Sequence, residues 1–151
     1  MNFTIRNAEQ TDALRVAELF DLYRQFYDQA PDAVRALDFI GQRLARSESV
    51  ILVAERDGHG LVGFCQIYPS FCSVEAAPIG VLYDLFVVPT ARQHGVARGL
   101  LLAAEQRALA DGQVRMDLTT ARTNRAAQSL YEAMGWVRDE VFLTYNRRPL
   151  G

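Results

Sequence analysis

A change of hydrophobic period at Val50 constrains the fold of this 151-residue chain more than any other feature. Before Val50, apolar residues recur at helical spacing in two segments. The first begins at residues 10–12 and ends before Pro31, and the second is capped by Asp32 and carries Val34, Leu37, Ile40 and Leu44. After it, residues 50–54 form a dense β-branched run typical of a buried strand. The chain therefore combines an early helical pair with a later sheet.

The predicted order of elements is β-α-α-β-β-β-α-β-α-β. An edge strand at residues 3–6 comes first, and a hairpin turn at residues 57–60 joins strand 50–54 to strand 61–68. The remaining predictions are a loop at 70–78, a strand at 81–88, a helix at 95–111, a strand at 114–120, a helix at 124–134 and a final strand or pair of strands at 136–145. This order predicts one α/β domain over residues 1–151, with a mixed, mostly antiparallel sheet and helices on both faces.

Charge and composition exclude several classes of function. The net charge is -2, and both signs are mixed along the chain, so no basic stripe for nucleic acid is present. Neither a signal peptide nor an apolar run of membrane-spanning length is visible, which favours a cytoplasmic protein without a membrane partner. Cys65 and Cys72, with two histidines in the chain, have neither disulfide-framework nor zinc-ligand spacing, so we expect no metal.

The segment from Asp84 to Leu101 has the chemistry of an anion site. It reads as a strand, a turn of small residues and a long helix. Gly95 and Ala97 would let ligand oxygens approach the backbone at the helix start, where unpaired N–H groups and the helix dipole favour an anion. Neither the P-loop nor the dinucleotide-binding glycine pattern is present. An ordinary strand-to-helix turn remains the alternative at this point.

Two motifs, one in the loop at residues 92–97 and one downstream at residues 124–136, resemble those of the GCN5-related N-acetyltransferase superfamily and follow each other in the same order. The acyl-coenzyme A loop of that superfamily, Gln/Arg-x-x-Gly-x-Gly/Ala, is matched by Arg92-x-x-Gly95-x-Ala97. The other matching positions are Leu85-x-Val87-x-Pro89 upstream, and Asn124, Ala127, Leu130-Tyr131 and Gly135-Trp136 downstream. The chain looks most similar to the branch that contains diamine acetyltransferases and small fungal histone and polyamine acetyltransferases. Diamine enzymes commonly carry Glu-Asp where this chain has Tyr83-Asp84.

The resemblance implies acetyl-coenzyme A as the co-substrate. In relatives, the backbone at positions matching residues 85–87 pairs with pantetheine, and the loop amides hold the pyrophosphate. Asn124 matches a position whose side-chain amide touches pantetheine. It could instead be only a helix N-cap, and one residue could do both. The implied cofactor-binding residues are Leu85, Phe86, Val87, Arg92, Gln93, His94, Gly95, Val96, Ala97, Arg98, Asn124 and Tyr131.

The resemblance also implies catalytic residues. Tyr131 aligns with the general acid of many relatives, since a phenol stays protonated beside a departing thiolate; core packing is the alternative explanation for this aromatic residue. Asp84 is the first candidate for the base or for binding the acceptor amine, and a structural hydrogen bond is its alternative. The N–H of Val87 is the candidate oxyanion donor. Tyr83 and Asp117 are weaker candidates, and His94 is expected to be only a loop residue.

The expected acceptor is a primary amine of a small molecule, polyamine-like or amino-acid-like, attacked directly. Alternatives are a protein lysine or N-terminus as acceptor, or a non-catalytic acetyl-coenzyme A sensor. Candidate lining residues of the acceptor pocket are Tyr23, Tyr27, Asp28, Phe71, Glu75 and Tyr145. A homodimer is expected, because the predicted strand at residues 141–145 has an edge to cover and relatives pair subunits there.

Overall fold

The computed structural model describes residues 1–150, which form two compact units. The first unit, Met1–Thr119, contains all of the strands, and the second begins at Thr120. The elements of the first unit are β1 (Phe3–Asn7), α1 (Ala13–Phe26), α2 (Ala33–Arg46), β2 (Val50–Arg56), β3 (Gly60–Cys72), β4 (Ala77–Val87), α3 (Val96–Ala110) and β5 (Met116–Asp117). The second unit contains α4 (Arg125–Ala133). A short 3₁₀ turn at Gln10–Asp12 leads directly into α1. A second one, at Pro89–Ala91, lies a few residues before α3.

The five strands form one sheet in the order β1-β2-β3-β4-β5. Neighbouring strands are antiparallel except for β4 and β5, which are parallel. The predicted mixed, mostly antiparallel sheet is therefore confirmed. The register between β3 and β4 shifts once: Gln66 lies opposite Asp84, whereas Ile67 lies opposite Leu82. Tyr83 is the additional residue, so β4 carries a bulge at this point.

Helices cover both faces of this sheet. Along β2, Ile51 and Val53 belong to the core cluster under α1 and α2, and the alternate residues Leu52 and Ala54 are buried on the other side. α3 packs against strands β1 to β4 with its own buried apolar residues. Strands that are buried on both faces read as continuous apolar runs, which explains the dense pattern that begins at Val50.

The helix boundaries depend on local capping. Asp32 caps α2 as predicted, and its Oδ1 accepts the N–H of Arg35 at 3.0 Å.

The predicted apolar face of α2 is partly wrong. Ala36 and Ile40 are buried, whereas Val34 is 82% exposed and Leu37 is also exposed. Positions 36 and 40 are one turn apart and form the stripe that faces α1 and the sheet.

The hairpin between β3 and β4 is longer than the sequence predicts, and β5 is shorter. A loop was expected at residues 70–78, but the ladder continues to the pair Cys72 and Ala77, which leaves only residues 73–76 as the turn. The strand expected at residues 114–120 is limited to Met116–Asp117, which pair with Gly80 and Val81.

The final strand predicted at residues 136–145 is not present among the described residues. A local turn takes its place, because Asp139 Oδ1 accepts the N–H groups of Val141 and Phe142 at 2.8 and 3.3 Å. An aspartate side chain that binds the following amides competes with a strand ladder for them. The side chains of Val141 and Phe142 consequently remain about 80% exposed. No helix within residues 1–150 is long and apolar enough to cross a membrane.

Candidate functional site

A buried carboxylate lies at the bulge of β4. Asp84 is 4% exposed and Gln66, opposite it on β3, is 0% exposed. Gln66 Nε2 donates to Asp84 Oδ2 at 2.5 Å. The hydroxyl of Tyr23 on α1 hydrogen-bonds to Asp84 and lies 2.9 Å from the carbonyl oxygen of Tyr83, so its single proton is shared between these two acceptors. The bulge therefore places Asp84 between a strand and a helix that both supply polar partners.

The surroundings of Asp84 make it a base suited to neutral pH. Burial raises the pKa of the Asp84 carboxyl to about 6, while the hydrogen bonds from Gln66 and Tyr23 act in the opposite direction. The carboxylate form therefore predominates at pH 7, yet it binds a proton far more readily than an exposed aspartate would. Such a group can accept a proton from a bound cation and then release it to water.

The edge of β4 that faces away from β3 is only briefly paired. β5 pairs with Gly80 and Val81, and residues 82–87 have no ladder partner on that side among residues 1–150. Val88 donates its N–H to Val62 on the β3 side at 2.9 Å. The N–H and C=O of one residue point to the same side of a strand and those of the next residue to the other side, so the N–H and C=O groups of Leu85 and Val87 point away from β3. This edge can accept an extended ligand as an additional strand.

Arg92 connects the end of β4 to the turn that follows. Its Nε donates to the carbonyl oxygen of Val87 at 2.8 Å, and its guanidinium lies 5.6 Å from the centre of the Phe86 ring. The anion-site role of Arg92 stays a prediction. In the structure its side chain holds the turn against the strand end, so the strand and the turn form one continuous surface.

The turn before α3 exposes backbone N–H groups. Gln93 and Gly95 have φ angles of 64° and 80°, and a side chain added at Gly95 would meet no atom within 4 Å. The first intrahelical bond runs from Gly99 N–H to Gly95 O, so the N–H groups of Val96, Ala97 and Arg98 have no acceptor within the helix. The side chains of His94 and Arg98 are exposed. This combination of free donors and open space suits an anion.

Two of the predicted site residues, Asn124 and Tyr131, lie in the second unit. Asn124 caps α4, because its Oδ1 accepts the N–H of Ala127 at 3.2 Å. The N-cap interpretation is therefore correct, and it leaves the amide nitrogen of Asn124 outside this bond. Tyr131 is half-buried, and its ring centre is 6.1 Å from that of Trp136 at a tilt of 52°. Packing on Trp136 thus holds the ring without defining what the hydroxyl does.

The other predicted candidates are dispersed. Among those proposed for an acceptor pocket, Tyr23 reaches Asp84, and Tyr27 packs edge-to-face on Tyr23 with ring centres 5.1 Å apart. Glu75 instead forms an ion pair with Arg115 at 2.7 Å. The remaining candidates lie in exposed positions or on other elements, namely Asp28, Phe71, Asp117 and Tyr145. Residues 1–150 contain no cluster of three or more His, Cys, Asp or Glu side chains that could hold a metal ion.

Two polar partners near Asp84 were not identified from the sequence. In the sequence, Gln66 is one residue of the predicted strand at 61–68, and Ser49 belongs to no motif. A glutamine inside an apolar run indicates a buried amide, and a buried amide needs a hydrogen-bond partner, so this pattern could have identified Gln66. Nothing in the sequence indicates that Ser49 lies beside it, since 17 positions separate the two residues.

Comparisons with known proteins agree with this fold. The family model for the acetyltransferase (GNAT) family matches residues 14–136. The chain is 46% identical over 141 residues to the uncharacterised N-acetyltransferase YhfO of Bacillus subtilis (strain 168), an alignment that covers 93% of this chain and 94% of that one. The crystal structure of a probable acetyltransferase superposes with a TM-score of 0.90 at 36% identity and covers 98% of this chain and 99% of the other. An aminoglycoside N-acetyltransferase in complex with CoA shares the fold at 22% identity, with a TM-score of 0.83 over 98% of this chain and 96% of its own.

We predict that Asp84→Asn stabilises the protein at pH 8. A carboxyl whose pKa rises on folding destabilises the folded state once it is ionised, and the effect disappears at a pH low enough to protonate it in both states. Urea denaturation should show the variant more stable than the wild type by about 2–3 kcal/mol at pH 8 and nearly equal to it below about pH 4. A constant difference across this range would contradict the assignment.

Proposed function

The chain belongs to the acetyltransferase (GNAT) family, and from that premise we propose that it transfers an acetyl group from acetyl-coenzyme A to a primary amine of a small molecule. One observation carries the proposal: the buried carboxylate of Asp84 lies on the strand whose open edge leads directly into an N–H-rich helix start. The family match spans parts of both units, which supports one acetyltransferase domain across the chain.

The residues around β4 fit acetyl-coenzyme A. The outward N–H and C=O groups of Leu85 suit an extended pantetheine arm, which carries amide groups of its own. Val87 offers only its N–H, at the reacting end of that arm, because its carbonyl oxygen already accepts from Arg92. The N–H groups from Gln93 to Arg98 suit the pyrophosphate, and the exposed Arg98 adds positive charge. The amide nitrogen of Asn124 is proposed as a further contact to pantetheine, in line with the resemblance to the family.

Proton transfer is the chemistry that we assign to side chains. When bound, acetyl-coenzyme A supplies an acetyl thioester, and in the transfer a new C–N bond forms while the C–S bond breaks. An ammonium group cannot attack until it loses a proton, and Asp84 is the proposed acceptor of that proton, directly or through one water. The N–H of Val87 is proposed to stabilise the developing negative charge on the carbonyl oxygen. Tyr131 is proposed to protonate the departing sulfur.

The acceptor is proposed to be a small cationic amine. The carboxylate of Asp84 attracts an ammonium group, and the aromatic faces of Tyr23, Tyr27 and Tyr83 on neighbouring elements can bind a cation as well. The aminoglycoside N-acetyltransferase that shares this fold is named for an aminoglycoside, a small molecule that carries amino groups. Asp84 on the central strand also supports the proposed likeness to the diamine branch. A protein lysine or N-terminus is the alternative acceptor.

We further propose a homodimer in the cytoplasm. The C-terminal residues Val141, Phe142 and Leu143 are about 80% exposed, and exposed apolar segments of this kind are typical of association surfaces. Light scattering at micromolar concentration should give a mass near twice 16.9 kDa. A species at the monomer mass that persists at high concentration would contradict the dimer.

Gly95→Glu is expected to abolish binding of acetyl-coenzyme A. The added carboxylate would occupy the open space at the start of α3 and repel the pyrophosphate. Gly58→Glu is the matched control, because Gly58 also has a positive φ angle, 75°, and open space around it, but lies in the turn between β2 and β3. Calorimetry should show binding lost in the first variant and retained in the second. Equal affinities would place the pyrophosphate elsewhere.

Release of free thiol from acetyl-coenzyme A in the presence of a panel of amines tests the activity, and Tyr131→Phe tests the proposed acid. With the best acceptor, the variant should lower turnover by about 10²- to 10⁴-fold and leave the affinity for acetyl-coenzyme A almost unchanged, because the ring still packs on Trp136. Peptides with lysine or a free N-terminus belong in the panel. Turnover at the wild-type rate, with chemistry limiting, would leave Tyr131 with a packing role only.

A further inference from the structure

A chain of three hydrogen-bonded side chains ends at Asp84. Ser49 Oγ donates to Gln66 Oε1 at 2.7 Å, and Gln66 Nε2 donates to Asp84 Oδ2 at 2.5 Å. Gln66 is fully buried, and Ser49, immediately before β2, is half-buried. Within residues 1–150, Gln66 and Asp84 are the only buried polar or charged residues. Their pairing is therefore a costly arrangement that the apolar core around them does not require.

The direction of these hydrogen bonds favours an ionised Asp84. An ionised carboxylate only accepts hydrogen bonds, so Gln66 must turn its NH₂ group toward it. The amide oxygen of Gln66 then points away from Asp84 and would be buried without a donor, which Ser49 provides. If the amide were reversed, its oxygen would face the carboxylate at hydrogen-bonding distance, and the two would repel each other.

We propose that Gln66, oriented by Ser49, is a positioning residue that holds Asp84 as an oriented carboxylate ready to take the proton of the acceptor amine. This inference rests on the proposed function, in which Asp84 is the base. It assigns a role to Ser49, whose hydroxyl acts on Asp84 only through the amide of Gln66.

Asp84 is the group in this chain of hydrogen-bonded side chains that titrates close to neutral pH. Burial raises the pKa of Cys65 and of Tyr68 on β3 to about 12, so both stay neutral across the working range. Tyr23 faces Asp84 from α1, and Tyr83 is its neighbour on β4. On β5, Asp117 pairs with Arg115, whereas α3 packs against the sheet through apolar residues.

The test compares Ser49→Ala, Ser49→Thr and Gln66→Leu with the wild type. Loss of a hydrogen bond to the charged form raises the pKa of a carboxyl. We expect Gln66→Leu to move the titration of Asp84, and the low-pH limb of kcat/KM, upward by about one pH unit, since a bond to a charged group is worth about one to two pKa units. Ser49→Ala should raise the pKa of Asp84 and the low-pH limb of kcat/KM by a smaller amount. Ser49→Thr keeps the hydroxyl and should give the wild-type values of both.

Two readouts separate this inference from the proposed function. Carbon-detected NMR follows the carboxyl carbon of Asp84 directly, and thiol release follows the rate, with thermal unfolding as the check that each variant folds. A titration of Asp84 that is unchanged in both Ser49→Ala and Gln66→Leu would overturn the positioning role. A titration that moves while the rate profile stays in place would uphold the hydrogen-bond chain and overturn Asp84 as the base.

Discussion

The one-sided pairing of β4 is the constraint on which the rest of the site depends. β4 is paired with β3 from Ala77 to Val87, interrupted only by the bulge, whereas β5 pairs with only two residues of β4. Unpaired peptide groups at a sheet edge bind other extended chains readily, which is a liability in most proteins. Here the open stretch is short and ends in the turn that Arg92 holds to Val87. The same edge can therefore serve a ligand that has amides in its middle and phosphates at one end.

The bulge at Tyr83 sets the direction of the Asp84 side chain on β4. One additional residue turns Asp84 toward Gln66 and Tyr23 and locates the carboxylate within the core that α1 covers. A carboxylate buried there costs stability at neutral pH, and its hydrogen bonds recover only part of that cost. A purely structural role would be served as well by a neutral residue. A charged residue at this position suits the proposed role of Asp84 as proton acceptor for a cationic amine.

Short-range signals account for most of the agreement between sequence and structure. The change of period at Val50, the cap at Asp32 and the small residues at the predicted start of the helix after Gly95 each depend on a few neighbouring residues, and the structure confirms the elements that they predict. The last predicted strand is wrong for the same kind of reason. Its apolar pattern is present at residues 141–145, but Asp139 forms a local turn, and a strand also needs a partner edge that the pattern cannot supply.

The sequence by itself determined the order of the elements from β1 to α4, the mixed sheet and the loop whose glycine and small residues suit an anion. It also indicated the family, because the motif residues of that loop lie close together in the chain and act largely through their own backbone. Only the tertiary structure decided what surrounds Asp84. Gln66 and Ser49 lie 18 and 35 positions away in the sequence, and the register of three strands brings them into a line. Desolvation and hydrogen bonding act through space, so the protonation behaviour of this carboxyl became defined only once the sheet had formed.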